Sequence, residues 1–239
     1  MRSDAARHAA RRLPIEAVLF DLDGTLADSA GDLAGALNRV RADRGLPPVG
    51  IAQLRAHASS GARGLLGAGM GITPGAADYV ELRETFLTHY AACLADTTAL
   101  FPGVAELLAA IDARKLPWGI VTNKFARFTG PVVHALALAD RAGAVVSGDT
   151  TATPKPHPAP LLHAAQIMRV APSRCVYVGD DLRDVVAGNA AGMATIVAEY
   201  GYLGVDEDSR AWPATGWIAD PLGLLEWLPL GTSDNGNEI

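Results

Sequence analysis

Short apolar runs without a polar interruption recur at residues 17–20, 118–121, 144–146, 175–178 and 195–197, with a weaker one at 217–219. Runs of this length read as strands, and a strand apolar on both faces has to be covered on both faces. Between the later runs lie helical patterns at 104–113, 131–139, 159–168 and 182–191. The last two are entered through Pro158 and Asp181, which are helix-start signals. This alternation predicts an α/β fold: a doubly wound, mostly parallel sheet, helices on both sides, and a functional site at the carboxyl ends of the strands. The 17–20 strand is expected at the centre.

Residues 27–98 break the rhythm, with helical patterns and no convincing strand. They read as an inserted α-helical cap domain. Its first helix, near 28–44, stops at Gly45 and the pair Pro47 and Pro48. Gly61, Gly64, Gly67, Gly69 and Gly71 then crowd one segment, and a longer helix follows Thr73 and Pro74 to about residue 94. The expected organisation is a flexible leader at 1–13, a core domain from 14–26 and 99–230, the cap at 27–98, and a flexible tail at 231–239. The leader carries Arg2, Arg7, Arg11 and Arg12 and reads as a solvated extension or a mis-set start rather than a transit peptide.

With 239 residues, 49% of them hydrophobic, the chain can bury a full core, and wholesale disorder is excluded. A formal charge of −6 argues against a general nucleic-acid binder, which needs basic surface to displace counterions from phosphates. Phosphate chemistry would have to rest on local positive charge. Cys93 and Cys175 are the only cysteines and lie far apart, so neither a disulfide scaffold nor a thiolate metal site is indicated, and a reducing cytoplasmic compartment fits. No apolar run reaches the roughly twenty residues of a membrane span. A small-molecule partner is expected, with no nucleic acid and no membrane, and the chain acting as a monomer or homodimer.

Chemistry concentrates where the first strand ends. Asp21 and Asp23 flank Leu22, and strand alternation lets both carboxylates project to one side while Leu22 packs to the other. Two such neighbours are stable only if a cation sits between them or one holds a proton. One would then serve a metal and act as nucleophile, the other shuttle protons. A turn with surface acids is the plainer reading of residues 21–25 taken alone. Three further segments follow predicted strands. Thr122 and Asn123 can donate to phosphate oxygens or cap a helix. Lys155 stands between Pro154 and Pro156, which restrict its backbone, although a surface-loop lysine fits too. Asp180, nearest its strand end, suits a metal, while Asp181 and Asp184 can complement the positive end of a helix.

Together these four segments resemble the haloacid dehalogenase superfamily of phosphotransferases, over nearly the whole chain, with a Rossmann-like core and a cap. The resemblance implies a phosphomonoester hydrolase working through an aspartyl-phosphate: Asp21 attacks phosphorus, and Asp23 protonates the departing oxygen and later activates water. It further implies Mg²⁺ held by Asp21, the backbone carbonyl of Asp23, and Asp180, with Thr122, Asn123 and Lys155 on the phosphoryl oxygens and Asp184 and Asp181 in support. An all-oxygen site suits Mg²⁺. The metal-free dehalogenases of the superfamily lack the second aspartate, so Asp23 argues against dehalogenation.

The cap and the segment Ser59, Ser60, Gly61, Ala62, Arg63, Gly64 are similar to the phosphoglycolate phosphatase group, which makes Arg63 a candidate for a substrate carboxylate; an exposed helix-start arginine is the alternative. Segments at 41–49, 118–124, 127–128 and 178–184 look closer to the N-acetylmuramic acid 6-phosphate phosphatases. Both substrates are acids, so Arg63 does not separate them. A sugar-phosphate mutase of the same superfamily and a regulatory protein that kept the scaffold without catalysis remain as other readings.

Overall fold

A computed structural model describes residues 14–205 and 208–229; the expected leader at 1–13 and tail at 231–239 lie outside the described residues. The strands are β1 (Ala17–Phe20), β2 (Ala27–Asp28), β3 (Ala99–Leu100), β4 (Trp118–Val121), β5 (Ala144–Val146), β6 (Cys175–Gly179), β7 (Ala194–Ala198) and β8 (Gly216–Ile218). Six of them form one sheet in the order β5-β4-β1-β6-β7-β8, and every pairing in it is parallel. The chain therefore runs outward from β1 to β5 on one side, then returns and runs outward from β6 to β8 on the other. A reversal of that kind opens a crevice at the carboxyl ends of the central strands.

The sheet is buried on both faces because β1 feeds two cores. Val18 and Phe20 join the larger one, where Phe20 meets Trp118 edge to face at 6.4 Å, while Ala17 and Leu19 join the smaller core on the opposite face. Continuous apolar strands are the signature of this double cover. The helices are α1 (Ala30–Asp43), α2 (Ile51–Leu54), α3 (Gly61–Met70), α4 (Tyr79–Ala91), α5 (Val104–Ala113), α6 (Ala126–Ala135), α7 (Ala159–Met168) and α8 (Leu182–Ala190), with a 3-10 turn at Arg55–Ser60. Helices α1, α3 and α4 pack on one another, and Arg41 ties α1 to α3 by donating to the Gly69 carbonyl. No helix among the described residues is long and apolar enough to cross a membrane.

Three local expectations need correction. The stretch 27–98 does contain a strand: β2 pairs antiparallel with β3, and each is only two residues long, too short to leave a periodic signal. Helix α6 starts at Ala126 rather than at Pro131, which lies inside it. Its first turn is anchored from elsewhere, the Ala126 N–H donating to Asp149 Oδ1 at 2.8 Å and the Thr129 hydroxyl to the Lys124 carbonyl at 3.0 Å. Helix α4 starts at Tyr79, several residues beyond Pro74, after a series of turns.

Candidate active site

The crevice is built from three strand ends. At the end of β1 the Asp21 N–H donates to the Val178 carbonyl at 2.9 Å, which continues the ladder one residue past the strand. The chain then turns sharply, with the N–H groups of Leu26 and Ala27 donating to the Leu22 carbonyl at 3.0 and 2.8 Å. Gly24 makes this turn at φ +86°, and a Cβ there would overlap the Asp180 carboxylate. Only glycine lets the backbone press so close. Thr25 Oγ1 then donates to Asp180 Oδ1 at 3.2 Å.

Lys155 sits at the middle of the crevice. Its Nζ lies 2.9 Å from Asp21 Oδ1, 2.7 Å from Asp184 Oδ1 and 2.8 Å from the Tyr177 hydroxyl, which in turn donates to the Val121 carbonyl at 2.8 Å. The lysine is positioned through its backbone: Asn123 Nδ2 donates to the Lys155 carbonyl at 2.9 Å, and the Lys155 N–H donates to Asn123 Oδ1 at 2.9 Å. Both ends of the Asn123 amide are thus engaged in bracing the lysine. The Thr122 hydroxyl oxygen accepts from the Lys124 N–H at 3.2 Å and keeps its own proton to give.

Carboxylate oxygens of Asp21, Asp180 and Asp184 lie within 4.8 Å of one another. Burial and then the Asp184 and Asp23 charges push the Asp21 carboxyl up to about 7, against the pull of Lys155. Asp180, without exposed surface, is raised well above the usual carboxylate range by burial and then by Asp21 and Asp184. For Lys155, burial disfavours the charge, but Asp184 and Asp21 outweigh it and keep the ammonium protonated. Three acids against one ammonium leave an excess of negative charge, and a hard cation on an all-oxygen donor set would neutralise it.

Asp23 points elsewhere. Its oxygens accept from Lys124 Nζ at 3.0 and 2.8 Å and from Ser29 Oγ at 2.5 Å, so its side chain stands outside the three-acid group. Lys124 is itself buried, with its ammonium 4.8 Å from the centre of the Tyr90 ring, and the Asp23 charge raises its pKa although burial opposes this. Asp181 caps α8: its Oδ1 accepts from the Arg183 N–H at 2.9 Å while Asp184 Oδ2 accepts from the Asp181 N–H at 3.1 Å. The Arg183 guanidinium forks onto the same carboxylate, which outweighs burial and holds it below the ordinary range.

Above these groups lies a cavity of about 260 Å³ lined by Asp21, Asp23, Thr122, Asn123, Lys155 and Asp184 from the sheet side. Arg63, Arg83, Phe86, Leu87 and Tyr90 face it from the helical segment, and Phe128 from α6. Asp180 lies beneath this lining. Lys124, Tyr177, Ser29 and Arg183 enter the site without a role assigned to them by sequence. Tyr177 alone left a local signal, a polar hydroxyl inside an otherwise apolar strand.

The family model of haloacid dehalogenase-like hydrolases matches residues 15–192 of this chain. An N-acetylmuramic acid 6-phosphate phosphatase of Pseudomonas aeruginosa is 38% identical over 224 residues, covering 94% of this chain and 99% of that protein. A phosphoglycolate phosphatase of Xanthomonas campestris pv. campestris is 42% identical over 210 residues, 88% of this chain and 95% of that one. Among solved structures, a predicted phosphoglycolate phosphatase from Haemophilus somnus superposes with a TM-score of 0.78 at 24% identity, covering 89% of this chain and 97% of that chain.

Proposed function

The chain belongs to the haloacid dehalogenase-like hydrolases and is a phosphatase, and from that premise we propose that it hydrolyses phosphate monoesters with Mg²⁺ through an aspartyl-phosphate on Asp21. The observation that carries this reading is the approach of Asp21, Asp180 and Asp184 to within 4.8 Å beside the Lys155 ammonium. Such a donor set, all oxygen and anionic, fits a hard divalent ion. Asp21, Asp180 and the Asp23 backbone carbonyl would hold it, with Asp184 beside them. Bound there, the ion supplies charge neutralisation and orientation of the phosphoryl group.

The residues then divide the work. Lys155 and the Thr122 hydroxyl bind phosphoryl oxygens, and Asn123 keeps the lysine in place through its backbone. An Asp21 oxygen attacks phosphorus in line and the ester P–O bond breaks, while Asp23, which takes up a proton from solvent and loosens its ion pair with Lys124 as the substrate binds, passes that proton to the departing oxygen. Asp23 next takes a proton from water as that water attacks the phosphorus, which releases inorganic phosphate and restores Asp21. The helices of 27–98 act as a cap over the core formed by 14–26 and 99–230 and exclude bulk water from the reaction.

The substrate in this reading is a small acidic phosphate ester met in the cytoplasm, 2-phosphoglycolate or N-acetylmuramic acid 6-phosphate, with Arg63 taking the carboxylate. The apolar flank formed by Phe86, Leu87 and Phe128 favours the second, because a two-carbon acid has a single methylene to lay against it. Neither a mutase nor a silent scaffold draws support from relatives named as phosphatases. Phosphate release from the two esters, with and without Mg²⁺, tests the proposal. Release dependent on Mg²⁺ and faster in kcat/KM on the larger ester is expected; release unaffected by chelation would contradict the cation's role.

A further inference from the structure

Ser59 lies in the helical segment, yet its hydroxyl reaches the buried acid of the core: Ser59 Oγ donates to Asp180 Oδ2 at 3.2 Å. Two other donors hold that carboxylate, Thr25 Oγ1 on Oδ1 at 3.2 Å and the Tyr202 N–H on Oδ2 at 2.9 Å. Both come from loops of the sheet side, so the third is the one that comes from the helical segment. Its own position is set from the core. Arg183 Nη2 donates to the Ser59 carbonyl at 2.7 Å while the same guanidinium is forked on Asp181.

The turn that carries Ser59 is tied down again at its start, where Arg55 Nη1 meets both oxygens of Asp28 at 3.1 and 2.9 Å and its guanidinium lies 5.1 Å from the centre of the Tyr202 ring. Gly61 follows at φ 55° and ψ −144°, backbone that is open essentially to glycine alone, and it leads the chain away into α3. Asp181, Arg183, Ser59 and Asp180 thus form one continuous chain of contacts from the α8 cap to the acid cluster.

We propose that Ser59 is a positioning residue for the cation site, aiming the Asp180 carboxylate from the helical segment and thereby coupling the docking of that segment to cation binding. The inference rests on the reading of Asp180 as a cation ligand. A ligating carboxylate is oriented by the donors on its remaining lone pairs, and loss of such an outer partner commonly weakens metal binding by about 10–100-fold. Coupling of this kind is reciprocal: if docking of the turn strengthens cation binding, the cation favours the docked turn by the same factor.

Calorimetric titration of the full chain with Mn²⁺, alongside hydrogen exchange over residues 55–70 with and without Mg²⁺, tests the inference on wild type, Ser59→Ala and Ser59→Thr. Ser59→Ala is expected to weaken Mn²⁺ binding about tenfold and to lose the Mg²⁺-dependent protection, while Ser59→Thr, which keeps the hydroxyl, returns within about twofold of wild type. A merely structural serine would lower the melting temperature and leave Mn²⁺ affinity unchanged, which overturns the inference. A wild type that binds neither metal overturns it as well, and marks the cation reading of the acid cluster as the point of failure.

Discussion

Lys155 donates to Asp184 and to the Tyr177 hydroxyl and is ion-paired with Asp21, so its three protons face three partners. Removing one partner therefore shows what that partner does. Tyr177→Phe leaves a buried N–H without its acceptor, a cost of about 1–3 kcal/mol, and frees the lysine to shift. The expected result is a kcat/KM about tenfold lower with weaker inhibition by inorganic phosphate, while Mn²⁺ affinity is retained. Steady-state kinetics with phosphate as inhibitor reads both. Arg63 calls for a different comparison: Arg63→Ala is expected to raise KM about tenfold or more for carboxylate-bearing esters and to leave an aryl phosphate without a carboxylate unchanged. Equal effects on both esters would remove Arg63 from carboxylate recognition. At this scale the sequence was legible where the chemistry is local. Asp21, Asp23 and the proline-flanked Lys155 announce themselves by spacing, whereas the bracing of Lys155 by Asn123 joins residues 32 apart and the Lys124–Asp23 pair joins residues 101 apart.

Asp32, in the first turn of α1, ties that helix to the segment that returns to the sheet. Its Oδ1 accepts from the Thr97 N–H and hydroxyl at 2.8 and 2.5 Å, and its Oδ2 from those of Thr98 at 3.1 and 2.6 Å. Burial would raise this carboxyl, but the four bonds outweigh it and hold the pKa below the ordinary value. A carboxyl depressed in the folded state adds stability above its unfolded pKa of about 3.9, and that contribution fades as pH falls through the folded value. Asp32→Asn should therefore cost about 1–3 kcal/mol at pH 7, and the gap to wild type should narrow below about pH 4 in urea unfolding. A gap independent of pH would deny the ionised carboxylate its part. Elements covered on both faces, such as β1, β4 and β6, were legible because double burial writes an unbroken apolar run. Strands β2 and β3 are too short for any period, and α6 takes its start from Asp149, 23 residues away, so Pro131 misled.

Across the whole molecule a net charge of −6 coexists with a cavity that gathers Lys124, Lys155, Arg63, Arg83 and Arg183. The same lining carries Asp21, Asp23, Asp181 and Asp184, so the basic groups draw in an anionic ligand once a bound cation offsets those acids. The alternation of strands and helices foretold the layered sheet with β1 inside it, but the order β5-β4-β1-β6-β7-β8 follows from packing between elements distant in sequence. The same holds for the contact of Ser59 with Asp180, 121 residues apart. In the proposed reaction Asp21 carries the phosphoryl group during turnover. Quenching the enzyme during Mg²⁺-dependent turnover, reducing it with borohydride and sequencing its peptides by mass spectrometry tests this directly, since an acyl phosphate is reduced to the alcohol. Homoserine is expected at position 21, and none, with turnover abolished, in Asp21→Asn; homoserine at another aspartate, or full turnover by that variant, would refute a phosphorylated Asp21.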